Sequence, residues 1–271
     1  MTSVTVVIPA YNAEQYLPDA IDSILKQSFQ DIEIIIIDDH SKDRSWEVIQ
    51  EFAKRDSRIR AYRNSRNLGI AGNRNKGTSL ATGKYLVWQD ADDISLPTRI
   101  EKQFQFMESH PDVGIVGGYI ELFRGCKTIA VRKYSPDDTS LRRCIFRYSP
   151  IAQPAAMIRL EALHKAGEYN LNYPPAEDID MTFRIGEYYK LANIEEIVLR
   201  YRESDVSATF TRLRKMELST LAIRRKNFNS ASYKATIGDR IYNFAHYISI
   251  WLVPTRLKIR LFNLWRNSSN A

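Results

Sequence analysis

Lys84-Tyr85-Leu86-Val87-Trp88-Gln89, followed by Asp90-Ala91-Asp92-Asp93, decides how the rest of the chain is read. The first six residues have the aromatic, β-branched and leucine content of a buried strand, entered through Thr82-Gly83. Carboxylates clustered at the carboxyl end of a strand stand where an α/β sheet binds its ligands. If the extended geometry continues, Asp90 and Asp92 point to one side, because side chains repeat every second residue. Two hard oxygen donors on one side suit Mg²⁺ or Mn²⁺, ions that usually share their shell with substrate phosphates. Alone, the same tetrapeptide reads equally as a solvated acidic turn ahead of a helix.

The flanking sequence repeats the pattern. Val4 to Pro9 is a short apolar strand, and Leu17, Ala20, Ile21, Ile24 and Leu25 recur at helical spacing, with Asn12 and Gln15 placed as a cap and its partner. Ile32 to Ile37 is a second strand ending in Asp38-Asp39. Ser41-Lys42-Asp43 offers caps for a helix carrying Trp46, Ile49, Phe52 and Ala53. A third strand is predicted over Ile59 to Arg63 and a helix over Ala71 to Leu80. Pro97 suits the first turn of a helix through Phe104 and Met107. Strands alternating with helices at this spacing predict an α/β fold with a doubly wound, mostly parallel sheet. Three polar strand ends, Pro9-Ala10-Tyr11-Asn12, Asp38-Asp39 and Asp90-Ala91-Asp92, then share one edge. Beyond Val113 the alternation weakens. More sheet is expected over Val113 to Phe123, bent at Gly117-Gly118, then helices over Leu141 to Tyr148, over Glu177 to Tyr189 and from Arg212 onward.

Composition narrows the class. The 271 residues are 44% hydrophobic and 26% charged, ordinary for a globular protein. Cys126 and Cys144 form neither a metal spacing nor a disulfide framework, which fits a reducing compartment. Met1-Thr2-Ser3 runs straight into a strand, so no signal peptide is read, and no apolar run approaches the roughly 20 residues of a spanning helix. The net charge is +7, yet the residues from Val206 on carry +10 and the first 205 carry −3. A basic tail beside an acidic crevice points to an anionic surface for the tail, or to solubility alone. Phosphate cradles are missing: there is no G-x-G-x-x-G after the first strand, and Gly83-Lys84 has no upstream glycine at the Walker spacing. A bound diphosphate would have to be neutralised by metal.

Several stretches together resemble family 2 glycosyltransferases, which have a GT-A fold: Val7-Ile8-Pro9-Ala10-Tyr11-Asn12, Ile37-Asp38-Asp39-His40-Ser41, Asn67-Leu68-Gly69-Ile70-Ala71, Arg74-Asn75-Lys76-Gly77, Ala81-Thr82-Gly83-Lys84-Tyr85 and Asp90-Ala91-Asp92-Asp93. Gly167-Glu168-Tyr169, Ala176-Glu177-Asp178 and Tyr201-Arg202 continue the resemblance, which covers residues 3 to 205. Each motif is weak by itself; their order and spacing carry the match.

The resemblance implies inverting transfer of a sugar from a nucleotide-diphosphate donor, a UDP-sugar above all, in the hexosyltransferase class. Asp39 resembles the aspartate that accepts the uracil N3–H, a charge-assisted bond; a capping role for the helix after it falls better to Ser41. Pro9, Tyr11 and Asn12 resemble the loop packed on base and ribose, with Tyr11 as a structural aromatic the alternative. Arg74 resembles a basic residue near the nucleotide; an exposed helix charge is the other reading. Asp90 and Asp92 match the D-x-D motif, Asp92 for direct contact with Mn²⁺ or Mg²⁺ and Asp90 for ribose or an indirect bond. Asp93 reads as a cap or supporting acceptor. Asp178 is the expected general base, with Glu177 as base and Asp178 as cap the alternative. Many members carry a histidine shortly after Tyr201-Arg202; this chain has Glu203-Ser204-Asp205. Glu203, Asp205 or water is then left as third metal ligand, and His164 reads as a surface helix residue.

The expected organisation is a catalytic domain over 1–211, with a nucleotide-binding half to 112 and an acceptor-binding half from 113, then a helical basic tail over 212–271. In the tail, Arg256, Lys258, Arg260 and Arg266 interleave with Leu257, Ile259, Leu261, Phe262, Leu264 and Trp265, a mixture suited to an anionic membrane surface or to a helix packed on the body. Nucleic acid is disfavoured, because a carboxylate-lined crevice repels a phosphate backbone. The function expected is synthesis of a surface polysaccharide on a glycan or lipid-linked glycan acceptor, at the inner face of the cell membrane. A polyprenyl-phosphate glycosyltransferase, a catalytically silent nucleotide- or glycan-binding protein and a nucleotidyltransferase are the competing readings.

Overall fold

The computed structural model describes residues 2–203 and 212–268. Strand β1 (Val4–Ala10), β2 (Ile32–Asp38), β3 (Ile59–Arg63) and β4 (Tyr85–Trp88) lie in the order β3-β2-β1-β4, every pair parallel. All seven residues of β2 are buried. A parallel strand covered on both faces has no solvent side, which is why Ile32 to Ile37 shows no alternation. The crossovers are α1 (Leu17–Leu25), α2 (Ser45–Arg55) and α3 (Gly69–Leu80). Alternate strand residues feed two cores. Val6, Ile8, Ile34 and Ile36 pack with Leu17, Ile21 and Ile49 on one face; Val7, Ile35, Ile37 and Trp88 pack with Ala71 on the other.

The second half of the sheet is mixed. Beyond β4 come β8 (Met157–Arg159), β6 (Val113–Arg124), β9 (Lys190–Arg202) and the two-residue β5 (Ile94–Ser95), with β7 (Lys127–Arg132) paired to β6. β6 runs parallel to β9 and antiparallel to β7 and β8. The bend expected at Gly117-Gly118 is a register shift between Gly118 and Tyr119. Helices α4 (Arg99–Ser109), α5 (Asp138–Cys144), α6 (Leu160–Ala166) and α7 (Glu177–Ile185) complete the body, α7 stopping at Gly186 and not at Tyr189 as expected. Neither Cys126 nor Cys144 is joined in a disulfide, and the Cys144 thiol donates to the Leu141 carbonyl at 3.3 Å.

The chain continues in α8 (Leu213–Asn227), α9 (Ile237–Leu252) and α10 (Thr255–Ser268). α8 shares a core with the body: Ile223, with Tyr233 beyond the helix, packs against Ile145, Phe146, Ile179 and Phe183. The Arg224 Nε donates to the Ile145 carbonyl at 3.0 Å and the Tyr233 hydroxyl to the Phe183 carbonyl at 3.0 Å. No helix among the described residues is long and apolar enough to cross a membrane.

The approach of α3 to the sheet depends on Gly77. A Cβ there would lie 2.5 Å from the Val7 Cγ1. Gly77→Ala is therefore expected to lower stability by roughly 1–3 kcal/mol, read as a lower urea midpoint at unchanged slope. Full stability in that variant would show that the helix can ride outward freely.

Candidate active site

The ends of β1, β2 and β4 lie side by side, with Ala10 registered against Asp38. Tyr11 is 49% exposed at this edge, so it is no core aromatic, and Pro9 beside it is half-buried. Asn12 and His40 have positive φ, 50° and 62°, a conformation asparagine tolerates well. These loops are stitched together. The Asn12 N–H donates to the Ser41 hydroxyl at 3.0 Å, and the Lys42 N–H donates to the Asn12 Oδ1 at 2.9 Å. The capping roles expected for Asn12 and Ser41 are thus not found; both are used between loops, and the Asp43 carboxylate takes the Ser45 N–H at α2.

Asp38 and Asp39 are both buried but face different partners. Asp38 pairs with the Arg63 Nε at 3.1 Å and accepts from the Ser41 N–H. Asp39 accepts from the Leu68 N–H at 2.7 Å and the Gly69 N–H at 2.9 Å, at the start of α3, and from the Asn64 Nδ2 at 2.8 Å. A helix N-terminus presents unpaired N–H groups, and a carboxylate there is favoured by the dipole. Asp39 is therefore a cap for α3, a helix distant in sequence. Its Oδ2 takes one bond among those present, and a carboxylate oxygen has room for a second.

β4 stops at Trp88, and Asp90 to Asp93 form a turn in which the Asp93 N–H donates to the Asp90 carbonyl at 3.3 Å. Strand alternation does not reach Asp90 and Asp92; the turn brings their charges together. Burial and the neighbouring Asp90 push the Asp92 carboxyl up to about 6. Burial, then Asp92 and Asp90, hold Asp93 well above the carboxylate range. Asp93 accepts from the Arg202 N–H at 2.8 Å, and its Oδ2 has no hydrogen-bond partner. Arg202 at the end of β9 also donates from Nε to the Asp92 carbonyl at 2.8 Å, its guanidinium 4.2 Å from the Tyr16 ring centre and 4.6 Å from that of Phe123.

Arg99, in the first turn of α4, is 1% exposed. It donates to the Trp88 carbonyl at 3.0 Å and to the Ser95 hydroxyl at 2.9 Å. Burial lowers it to about 9, against the pull of Asp93 and Asp90.

Opposite charges meet at α3 and α7. Arg74 is buried, not an exposed helix charge, and its Nη1 lies 3.3 Å from the Glu177 Oε1. Its guanidinium stands 5.5 Å from the Trp88 and Tyr169 ring centres. With its amide oxygen turned inward, Gln153 accepts from Arg74 Nη1 at 3.2 Å, Trp88 Nε1 at 3.1 Å and the Tyr169 hydroxyl at 3.0 Å. Burial opposes the charge on Arg74, but Glu177, Tyr169, Asp90 and Asp178 hold it above its usual value. Asp90, Glu177 and Asp178 are each raised, by burial first; Arg74 works against this in all three. Glu177 is 1% exposed, whereas Asp178 is half-buried.

Among the described residues no three His, Cys, Asp or Glu side chains are grouped to hold a metal ion. Asp90 and Asp92 nevertheless fit a hard cation as a pair, because their mutual repulsion is the charge excess such an ion relieves, and Mg²⁺ is commonly held by one or two carboxylates plus water and phosphate. Glu203 pairs with the Arg124 Nη2 at 3.8 Å, Asp205 lies outside the described residues, and His164 is exposed on α6.

The raised Asp92 has a consequence for stability. Its ionisation costs nothing extra below about pH 4, where both folded and unfolded chains are protonated, and is fully unfavourable above about pH 6, at about 1.4 kcal/mol per pH unit between. The metal-free protein is expected to melt lower at about pH 8 than at about pH 5. Mn²⁺ should raise the midpoint more at the higher pH; equal shifts would remove these carboxylates as its ligands.

The profile for glycosyl transferase family 2 matches residues 5–166. The chain belongs to this family. A glycosyltransferase of Methanocaldococcus jannaschii, MJ1057, is 31% identical over 264 residues, 93% of this chain and 90% of that one. The Escherichia coli UDP-Glc:alpha-D-GlcNAc-diphosphoundecaprenol beta-1,3-glucosyltransferase WfaP is 38% identical over 109 residues, 38% of this chain and 41% of WfaP. Among solved structures, the mannosyltransferase PcManGT of Pyrobaculum calidifontis, in complex with GDP-Man and Mn²⁺, superposes with a TM-score of 0.66 at 16% identity, covering 96% of this chain and 74% of that one. The expected GT-A architecture is thus the one observed, and the protein is a glycosyltransferase.

Sequence reading missed Arg99 and Gln153, and gave Arg202 and Tyr169 no role. Arg99 had a signal: a cation in the first turn of a helix opposes the macrodipole, so its presence there asks for another reason. Gln153 had none, since only the tertiary fold brings it to Arg74.

Proposed function

We propose that this glycosyltransferase moves a sugar from a nucleotide-diphosphate donor, a UDP-sugar, to a hydroxyl of a glycan or lipid-linked glycan during surface-polysaccharide synthesis, with inversion at the anomeric carbon. The observation that carries it is the meeting of the turn after β4 with the start of α7, where Asp90 faces Asp92 on one side and Asp178 on the other and all three are raised by burial. Asp178 is half-buried and made more basic, which suits a general base for the acceptor hydroxyl. Glu177 is paired with Arg74 and buried, which suits a positioning role. As Asp178 takes the proton, the acceptor oxygen bonds to the anomeric carbon and the bond to the diphosphate breaks on the opposite face. A divalent cation held by Asp90 and Asp92 would supply the positive charge that stabilises the departing diphosphate. Tyr11, Pro9 and Asn12 offer an exposed aromatic platform for base and ribose, and the spare acceptor on Asp39 Oδ2 suits a ring N–H. WfaP supports the UDP-sugar and lipid-linked acceptor; PcManGT supports the metal. The tail would hold the protein at the inner face of the membrane, where lipid-linked acceptors reside.

Calorimetric titration of UDP with and without Mn²⁺ tests the donor reading. Metal-dependent binding is expected, and Asp92→Ala should abolish that dependence with the fold intact. Unchanged affinity in the variant would sink the metal assignment. A polyprenyl-phosphate acceptor needs no base, so an Asp178→Asn enzyme that kept most of its activity would favour that reaction instead.

A further inference from the structure

We infer that the outward face of α9 (Ile237–Leu252) docks on an anionic lipid bilayer; this rests on the membrane attachment proposed above and gives it a surface. A helix on a soluble protein turns its apolar side inward. α9 does the reverse. Its body side carries Asp239, Asn243 and Ile250, all buried, and the half-buried His246. Asp239 pairs with the Arg147 Nε at 2.9 Å, Asn243 donates to the Phe146 carbonyl at 2.8 Å, and the His246 Nε2 lies 3.1 Å from Glu217. At 3.6 residues per turn the opposite side is Ile237, Ile241, Phe244, Ile248, Trp251 and Leu252. These six are 41–77% exposed, and none is charged. The polar contacts fix the rotation of the helix, so the apolar face cannot roll inward without breaking them.

Charge selects the occupant. The apolar exposure turns the corner at Val253-Pro254 and continues through Leu257 and Leu261 of α10, where Arg260 is exposed among them. The Arg214 guanidinium lies 4.9 Å from the Trp251 ring centre at the rim. The region from Val206 carries +10, and its two acidic residues are both engaged, Glu217 with Lys258 and His246, Asp239 with Arg147. Two copies meeting here would bring like charges together, whereas anionic headgroups complement them. An apolar band bordered by cations matches the headgroup and acyl boundary.

The test is cosedimentation of the full chain with phosphatidylglycerol–phosphatidylcholine vesicles and with phosphatidylcholine alone, with light scattering for mass and UDP titration in solution. Wild type should bind the anionic vesicles. Ile241→Glu with Phe244→Glu, both at exposed sites, should weaken that binding at least about tenfold, from the loss of two buried apolar side chains, with mass and UDP binding unchanged. Equal binding by the variant overturns the assignment of this face. Loss in Arg260→Glu but not in the α9 variant does so too, while leaving membrane attachment standing on α10. A wild-type dimer that the α9 substitutions split would give the face to a second copy. Binding of no vesicle by wild type sinks docking and attachment alike, without touching the donor site.

Discussion

Asp178→Asn is expected to slow sugar transfer by about 100- to 10,000-fold, the range that loss of a general base brings, while UDP affinity in the presence of Mn²⁺ stays near wild type. The separation of the two effects is what identifies the role. Asp178 sits at the start of α7, half-buried and beside a cation, and its Oδ1 accepts the adjacent Ile179 N–H at 2.8 Å. In the reaction proposed above, the carboxylate takes the proton of the acceptor hydroxyl. The amide keeps size and most hydrogen bonding but cannot take a proton. The rate in the wild type should also fall as pH drops through the raised Asp178 value, and that limb should vanish in the variant. A fall in UDP affinity equal to the fall in rate would instead make Asp178 part of the donor site, and Glu177 would return as the candidate base.

The second large effect concerns the cation at the centre of the acidic groups. Replacing Arg74 by Met keeps volume but leaves Glu177 facing Asp90 and Asp178 with no positive partner. Breaking a buried pair by removing one member costs roughly 3–5 kcal/mol, and at about 2–4 °C per kcal/mol for a chain of this size the midpoint should fall by roughly 10 °C. Adding Glu177→Gln removes the abandoned charge, so the double variant should regain part of the loss. A double-mutant cycle with no coupling would show that the ion pair is incidental and that Arg74 acts through its stacking on Trp88 and Tyr169.

The halves of the fold differ in how much the sequence discloses. β1, β2 and β4 are covered on both faces and read as apolar runs, and α1 and α2 keep the 3.6 period, so the alternation and the parallel direction follow from the chain alone. β9 does not. Its 13 residues include Glu195, Glu196, Arg200 and Arg202, and it is a strand because β6 lies beside it. β5 and β8 are too short to show any period, and β7 is largely exposed. The site divides likewise. Asp39, Asp90 and Asp92 stand at strand ends, where position alone makes them candidates. The cap that Asp39 gives α3, the clamp of Arg202 on the acidic turn and the Gln153 hub join segments far apart in sequence, and no local pattern encodes them.

α3 itself has a consequence for how the site comes into being. Gly69, Gly72 and Gly77 weaken it as an autonomous helix, and the side it buries is Asn73 and Arg74 as much as Ala71. Its first turn is held by Asp39 at the end of β2, and its middle by a carboxylate on α7. Such a segment has little reason to coil before the sheet exists. In the order of folding it belongs near the end, waiting on long-range contacts, so the arginine that gathers the carboxylates arrives only once the scaffold that needs it has been assembled.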